Sequence, residues 1–380
     1  MESSAHNLWD YPAQASPGER SRENGPRPCI PRLLERETGT CTNGGLEDLS
    51  QFRRRGQAEA VPRTLPGILP QRGSTVSLRA FVPALSGELQ LEDQALLERD
   101  VRLHLLLGGL TYDKTIGKDL VFKGGTCLIK CHFGYWRFSE DLDFTWGDQR
   151  AWQDEGSKKA RRTVRSVRRS VLQAMDEHAS RQGLSRTESP LYGRSGQMVT
   201  VKYAYESLTG IPSFIKLQVN FLEPILYEVQ EREASSLLNG DKPRDLQLVD
   251  EVLTETYATP VRCLAYSAKE ILIEKCRAIL TRQAAKGRDV LDLFLLDREL
   301  QLHVENYLPH IEEKTRFSIE DRKLYREHLH EAEDRFKALL EEDIRPLLIK
   351  KLDLEDFQEY RKDLVSLLRI EAEKLGKTAD

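Results

Sequence analysis

Long apolar runs are missing from this chain of 380 residues, and no stretch approaches the roughly 18 residues that a membrane-spanning helix needs. The N-terminus has no short apolar core behind basic residues, so no signal peptide is expected. Cysteine is sparse. The six thiols (Cys29, Cys41, Cys127, Cys131, Cys263, Cys276) contain no C-x-x-C pair and are too dispersed for a disulfide framework, which makes a reducing cytoplasm the simplest setting. Cys127 and Cys131 lie about one helical turn apart beside His132, but no second ligand pair with zinc spacing follows, so they read as small buried apolar residues. Charge of one sign is also lacking. A formal net charge of −4 with 31% charged residues excludes a polycation that coats nucleic acid, and any basic surface must be local. No internal repeat is visible.

What is present divides into three parts. Residues 1–75 are rich in Pro, Gly, Ser and Arg and poor in periodic apolar positions, so they are expected to form a disordered extension. Order is expected from about 88, where ELQLEDQALLERDVRLHLLLGGL carries helical spacing that Gly108-Gly109 should end. DLVFKGG reads as a strand running into a glycine turn, TCLIKCHFGY as a helix, LDFTW as a strand and 148–183 as a long helix. QMVTVKYAYES, SFIKLQVNF and VRCLAY follow as strands. Ser267 and Glu270 have the spacing of a capping box for the next helix, RDVLDLFLL reads as another, and two long charged helices are expected from about 317. The division is thus 88–265, mixed α and β, and 266–380, helical.

The chemistry concentrates in RFSEDLDFTW. Alternation along a strand puts Asp141, Asp143 and Thr145 on one face and Leu142, Phe144 and Trp146 on the other. Two adjacent carboxylates repel, and a divalent cation relieves that repulsion well; Mg²⁺ favours one or two carboxylates plus water and substrate phosphate. The bland alternative is a solvated strand end. Upstream, Lys123-Gly124-Gly125-Thr126 sits between strand and helix, where glycines let the backbone approach a phosphate, though a plain tight turn would look the same. The two features together have the layout of the polymerase-beta type of nucleotidyltransferase: an α+β core, its mixed sheet flanked by helices, with a C-terminal α-helical region.

LVFKGGTCLIK with RFSEDLDF resembles the AbiEii/AbiGii-type toxin nucleotidyltransferases of type IV toxin–antitoxin and abortive-infection systems. RDVRLHLLLGGL, FIKLQVNF, EILIEKCRAILTR and GRDVLDLF extend the likeness from about 95 to 300. The resemblance implies an enzyme that transfers NMP from an NTP substrate to an acceptor, the 3′ end of tRNA or another RNA, and a cognate antitoxin protein as partner. It assigns Asp141 and Asp143 to Mg²⁺ or Mn²⁺, and Lys123, Gly124, Gly125, Thr126, Arg137, Ser139 and Lys216 to the nucleotide. Thr126 would turn its hydroxyl toward both the phosphates and the acids. Lys275 and Asp289 join the catalytic set, with Asp289 and Asp292 either catalytic or orienting Lys275 or Arg277. One departure stands out: Gln218 occupies a strand position where related enzymes often carry a third carboxylate, and an amide cannot accept a proton from an attacking hydroxyl. Glu223, just beyond, is a weak substitute.

GSKKARRTVRSVRR places seven Lys or Arg between Lys158 and Arg169 without an acid. Helical spacing gives Val164, Val167, Val171 and Met175 an inward stripe, leaving Arg161, Arg165 and Arg168 on a surface suited to an RNA backbone or simply to solvent. Two other readings compete with RNA modification. One is NMP transfer to a protein or small molecule, and the other a non-catalytic nucleotide-binding or protein-interaction module.

Overall fold

The computed structural model describes residues 74–380 apart from 154–157, 194, 195, 285, 322 and 380. Helices α1 (Ser74–Leu89) and α2 (Gln94–Thr111) precede β1 (Leu120–Lys123), α3 (Gly124–Leu128) with a π-helical turn over Ile129–Phe133, and β2 (Asp141–Trp146). Then come α4 (Arg150–Gln153), α5 (Lys158–Arg181), β3 (Ser185–Arg186), β4 (Leu191–Gly193), β5 (Met198–Glu206), β6 (Pro212–Asn220) and β7 (Gln230–Ala234). The chain continues through α6 (Arg244–Ala258), β8 (Val261–Ala265), α7 (Ala268–Thr281), α8 (Gly287–Leu300), α9 (Leu308–Asp321), α10 (Lys323–His330), α11 (Ala332–Glu341) and α12 (Leu354–Ala379).

The strands form one mixed sheet in the order β3-β5-β6-β2-β1-β8-β7, with β4 also paired to β5. The pairs β1/β8 and β2/β6 are parallel and the others antiparallel. The period-2 pattern of β2 decides which face is buried: Leu142, Phe144 and Trp146 are in the core, opposite the side that Asp141 and Asp143 occupy. Helix α5 lies on that apolar side, where the Tyr203 hydroxyl donates to Asp176 at 2.7 Å. The acids therefore occupy the other layer. One apolar core joins β2, β6 and α5 to α7, α8 and the C-terminal helices, so the core continues across residue 266.

Several boundaries differ from the sequence reading. Ordered structure starts at Ser74, not near 88, because Leu78, Phe81, Val82 and Leu85 bury against Leu97, Val101 and Tyr257. All but the last two residues of the expected disordered stretch 1–75 lie outside the described residues. Gly108-Gly109 does not end α2. A Cβ on Gly109 would fall 2.6 Å from the His178 ring, so the pair marks where α2 and α5 approach closely. Within 148–183 the described residues form α4 and α5, and the region after 317 holds the end of α9 and helices α10, α11 and α12. Half of the capping box forms: Ser267 accepts from the Glu270 amide at 3.2 Å, but the Glu270 carboxylate receives the Leu226 and Tyr227 amides at 2.9 and 2.8 Å. Cys127 is buried and Cys131 half-buried, and no group of three or more potential ligands suited to a metal occurs among the described residues.

Candidate active site

The register of β2 brings the site together. Asp141 pairs with Lys216, and Asp143 pairs with Gln218 on one side and Lys123 on the other. The Lys216 ammonium lies 2.7 Å from Asp141 Oδ2. Burial pushes the Asp143 carboxyl up, Lys216 partly offsets this, and the neighbouring Asp141 charge adds to it. Two hard oxygen donors with a lysine ammonium in the compensating position fit a Mg²⁺ ion that takes its remaining ligands from water and phosphate.

The glycine turn fits against these acids. Gly124 has φ +80°, and a Cβ there would lie 2.7 Å from Asp143 Oδ2, so both conformation and space require glycine. A Cβ on Gly125 would meet the Arg137 guanidinium at 2.6 Å. Arg137 is buried and donates from Nε and Nη2 to the two oxygens of Asp292 at 2.8 and 2.7 Å, so it fastens the turn to α8. Thr126 does not face the acids' carboxylates as expected. Its hydroxyl donates to the Asp141 backbone carbonyl and lies 2.6 Å from Ser139 Oγ, which ties the Ser139 turn to the start of β2.

Lys123 and Lys275 are both buried and paired with carboxylates. The Lys123 ammonium is 2.5 Å from Glu223 and 3.2 Å from Glu274, in a buried group completed by Lys314 of α9. Burial opposes ionisation of Glu223, but Lys123, Glu274 and Lys314 together outweigh it and hold that carboxyl well below its ordinary range. Glu223 further accepts from Asn220 at 2.6 Å, so it is engaged and is no stand-in for the missing third acid. Gln218, at that third position, accepts from Thr200 at 3.3 Å. Lys275 sits between Asp289 at 2.9 Å and Asp292 at 2.5 Å. The two aspartates thus hold Lys275, an arrangement compatible with either role that the sequence left open for them. Burial would raise both carboxyls, yet Lys275 acting with Arg282 on Asp289, and Arg137 with Lys275 on Asp292, keep both below the usual range.

Sequence reasoning missed two rim cations, Arg282 and Lys286, which lie beside Lys216 and the motif residue Arg288. Arg288 approaches Asp141 at 3.9 Å and Glu140 at 3.5 Å, and Arg282 binds Asp289 at 2.9 Å. Burial lowers the affinity of Lys286 for its proton, and the charges of Arg288, Arg282 and Lys216 lower it further, so these four cations lie near one another. The signal was available in TRQAAKGR, whose basic residues flank the α7–α8 turn.

The basic helix lies elsewhere. Arg161 and Arg165 are exposed on α5, on the layer opposite the acids. Arg168 is half-buried, donates to the Gly196 carbonyl at 3.1 Å and stacks over Tyr192, so it braces the β4–β5 connection.

A mixed sheet with paired acids beside a glycine turn defines a nucleotidyltransferase. Residues 106–373 match the family described as nucleotidyl transferase AbiEii toxin, type IV TA system. The chain belongs to that family and is a nucleotidyltransferase of the toxin–antitoxin class. The match runs into α12, beyond the span of about 95 to 300 visible from motifs. Among solved structures, the chain is similar to MenT4, a nucleotidyltransferase toxin from Mycobacterium tuberculosis H37Rv, at 17% identity and a TM-score of 0.45 over 80% of this chain and 94% of that one. No curated protein matches the chain. No helix among the described residues is long and apolar enough to cross a membrane.

Proposed function

We propose that the protein transfers NMP from an NTP to the 3′-hydroxyl of an RNA, the acceptor end of tRNA, and is held in check by a cognate antitoxin protein. The observation that carries this reading is the packing of Gly124 against Asp143 while Lys216 pairs with Asp141, which puts phosphate-binding and acid groups within one small site. In it, Asp141 and Asp143 hold a Mg²⁺ ion, which when bound screens the charge of the phosphates. Gly124 and Gly125 present backbone to the triphosphate, while Lys216, Arg282, Lys286 and Arg288 receive its oxygens and stabilise departing pyrophosphate. The acceptor hydroxyl gives its proton to solvent water and attacks the α-phosphorus, the bond to the bridging oxygen breaks, and pyrophosphate leaves with the electron pair.

Lys275, Asp289, Arg137 and Lys123 act as positioning residues that fix the turn and the acid strand from beneath. Thr126 and Ser139 hold the loop that leads into Asp141. Exposed Arg161 and Arg165 serve the body of a large RNA rather than its reacting end.

Incubation with labelled NTPs, Mg²⁺ and total RNA tests the proposal: label should enter RNA with release of pyrophosphate. Label entering protein instead would redirect the acceptor assignment. Gln218 favours a second reading, in which nucleotide is bound with slow or no turnover. NTP retention without pyrophosphate release would support that reading.

A further inference from the structure

The α5 arginines and the acid pair lie on opposite layers, so an acceptor end that reaches Asp141 must be held by groups on the acids' own face. The sheet supplies such groups. From Asp141 the register leads across to Lys216, from Lys216 to Lys202 on β5, and one pleat further to the Phe214–Ala204 pair. Phe214 therefore stands about 7 Å along the strand from Lys216. Ile215, Leu217 and Val219 of β6 are buried as the opposite face demands, whereas Phe214 is a large ring on the open face and is 52% exposed. Lys202 Nζ lies 5.4 Å from its ring centroid. The sole acid on this face of β5 and β6 is Glu206, at the far end. A chain with a net charge of −4 thus presents two lysines and an exposed aromatic ring in a line that ends at its catalytic acids.

We propose that this face of β5 and β6 is the track for the unpaired 3′ end of the acceptor RNA, with a base stacked on Phe214 and a flanking phosphate on Lys202, so that the strand end runs toward Lys216 and the NTP; the assignment rests on the RNA-acceptor reading above. Aromatic rings on open sheets bind single-stranded bases because every base offers a π-face, and neighbouring lysines follow the backbone. A protein-docking patch would need the ring but not the aligned lysines.

The full chain is tested with a labelled single-stranded RNA dodecamer and, separately, the same RNA closed into a duplex, by fluorescence anisotropy over a range of salt. Phe214→Ala should weaken single-strand binding by roughly 5- to 100-fold, and Phe214→Trp should restore it. Lys202→Ala should reduce the salt slope by about 0.7. NTP affinity and melting temperature should stay at wild-type values in all three variants. Unchanged single-strand affinity in Phe214→Ala, or an equal loss for duplex RNA, overturns the track. An unchanged KM for RNA in Phe214→Ala with transfer intact also overturns it while the transfer reading survives. Single-strand binding through Phe214 without any transfer to RNA leaves the track standing and removes the transfer reading.

Discussion

Gly124 and Asp143 constrain each other at the scale of single residues. The turn has a positive φ, and the space that a side chain would fill is occupied by a carboxylate oxygen. Gly124→Ala should lower stability by about 1–3 kcal/mol and displace Asp143, so NTP affinity and transfer should fall together. A variant with wild-type melting and transfer would show that the turn tolerates a side chain. Asp141→Asn and Asp143→Asn test the acids themselves. Each should cut transfer by about 100-fold or more, a loss comparable to removing a key charge-stabilising group. Stability should respond differently: burial and the Asp141 charge oppose ionisation of Asp143, so Asp143→Asn should melt at or above the wild-type temperature. Transfer retained in both variants would defeat the catalytic assignment. The two acids, the glycines and Lys216 were legible because alternation and spacing are local properties. The direction of a long side chain was not: Lys123 and Lys275 turn toward carboxylates that lie 100 and 14 residues away in sequence.

At the scale of elements, α7 and α8 are joined beneath the glycine turn by Lys275, Asp289, Asp292 and Arg137. Removing one partner strands a buried charge, so Lys275→Ala should cost about 3–5 kcal/mol in unfolding free energy. If Lys275 instead met substrate in the open site, the same variant would keep its stability and lose only NTP affinity. The linkage also has a definite pH sign. Asp289 and Asp292 have folded-state pKa values below those of an unfolded chain, so their contribution is complete above about pH 3.9 and declines as pH falls through the folded values. The gap in unfolding free energy between wild type and Asp292→Asn should therefore be constant from pH 8 to about 4 and narrow below that. A gap that closed between pH 8 and 6 would contradict the ion-pair account.

For the whole molecule, the same apolar core underlies the sheet and the C-terminal helices. Ile271, Leu272, Cys276 and Ile279 of α7 pack into it, and Lys314 of α9 completes the buried group around Glu223. A fragment of residues 74–265 should consequently show no cooperative thermal transition, even though the change in sequence character at 266 reads as a boundary. A wild-type-like transition in that fragment would establish two independent domains. Deleting residues 1–73, which have few periodic apolar positions, should shift the melting temperature by less than about 3 °C. Extending the deletion through Leu85 should destabilise strongly, because it removes Phe81 and Val82 from the cluster with Tyr257.

The sequence by itself determined the class of fold, the succession of strands through the centre, and the acid–glycine pairing, because each depends on periodicity or on residues close in the chain. Its motifs also carried the family likeness that the match over residues 106–373 extends. Tertiary structure alone decided which charges are paired. Asp292 reaches Arg137 across 155 residues, Glu223 meets Lys123 across 100, and Arg288 at the start of α8 comes within 3.9 Å of Asp141. It likewise put the α5 arginines on the layer opposite the acids, a relation that no helical pattern contains. Local rules fix which way a side chain faces on its own element. What it faces is set by the packing of other elements, and there desolvation makes a buried charge depend on a partner from distant sequence.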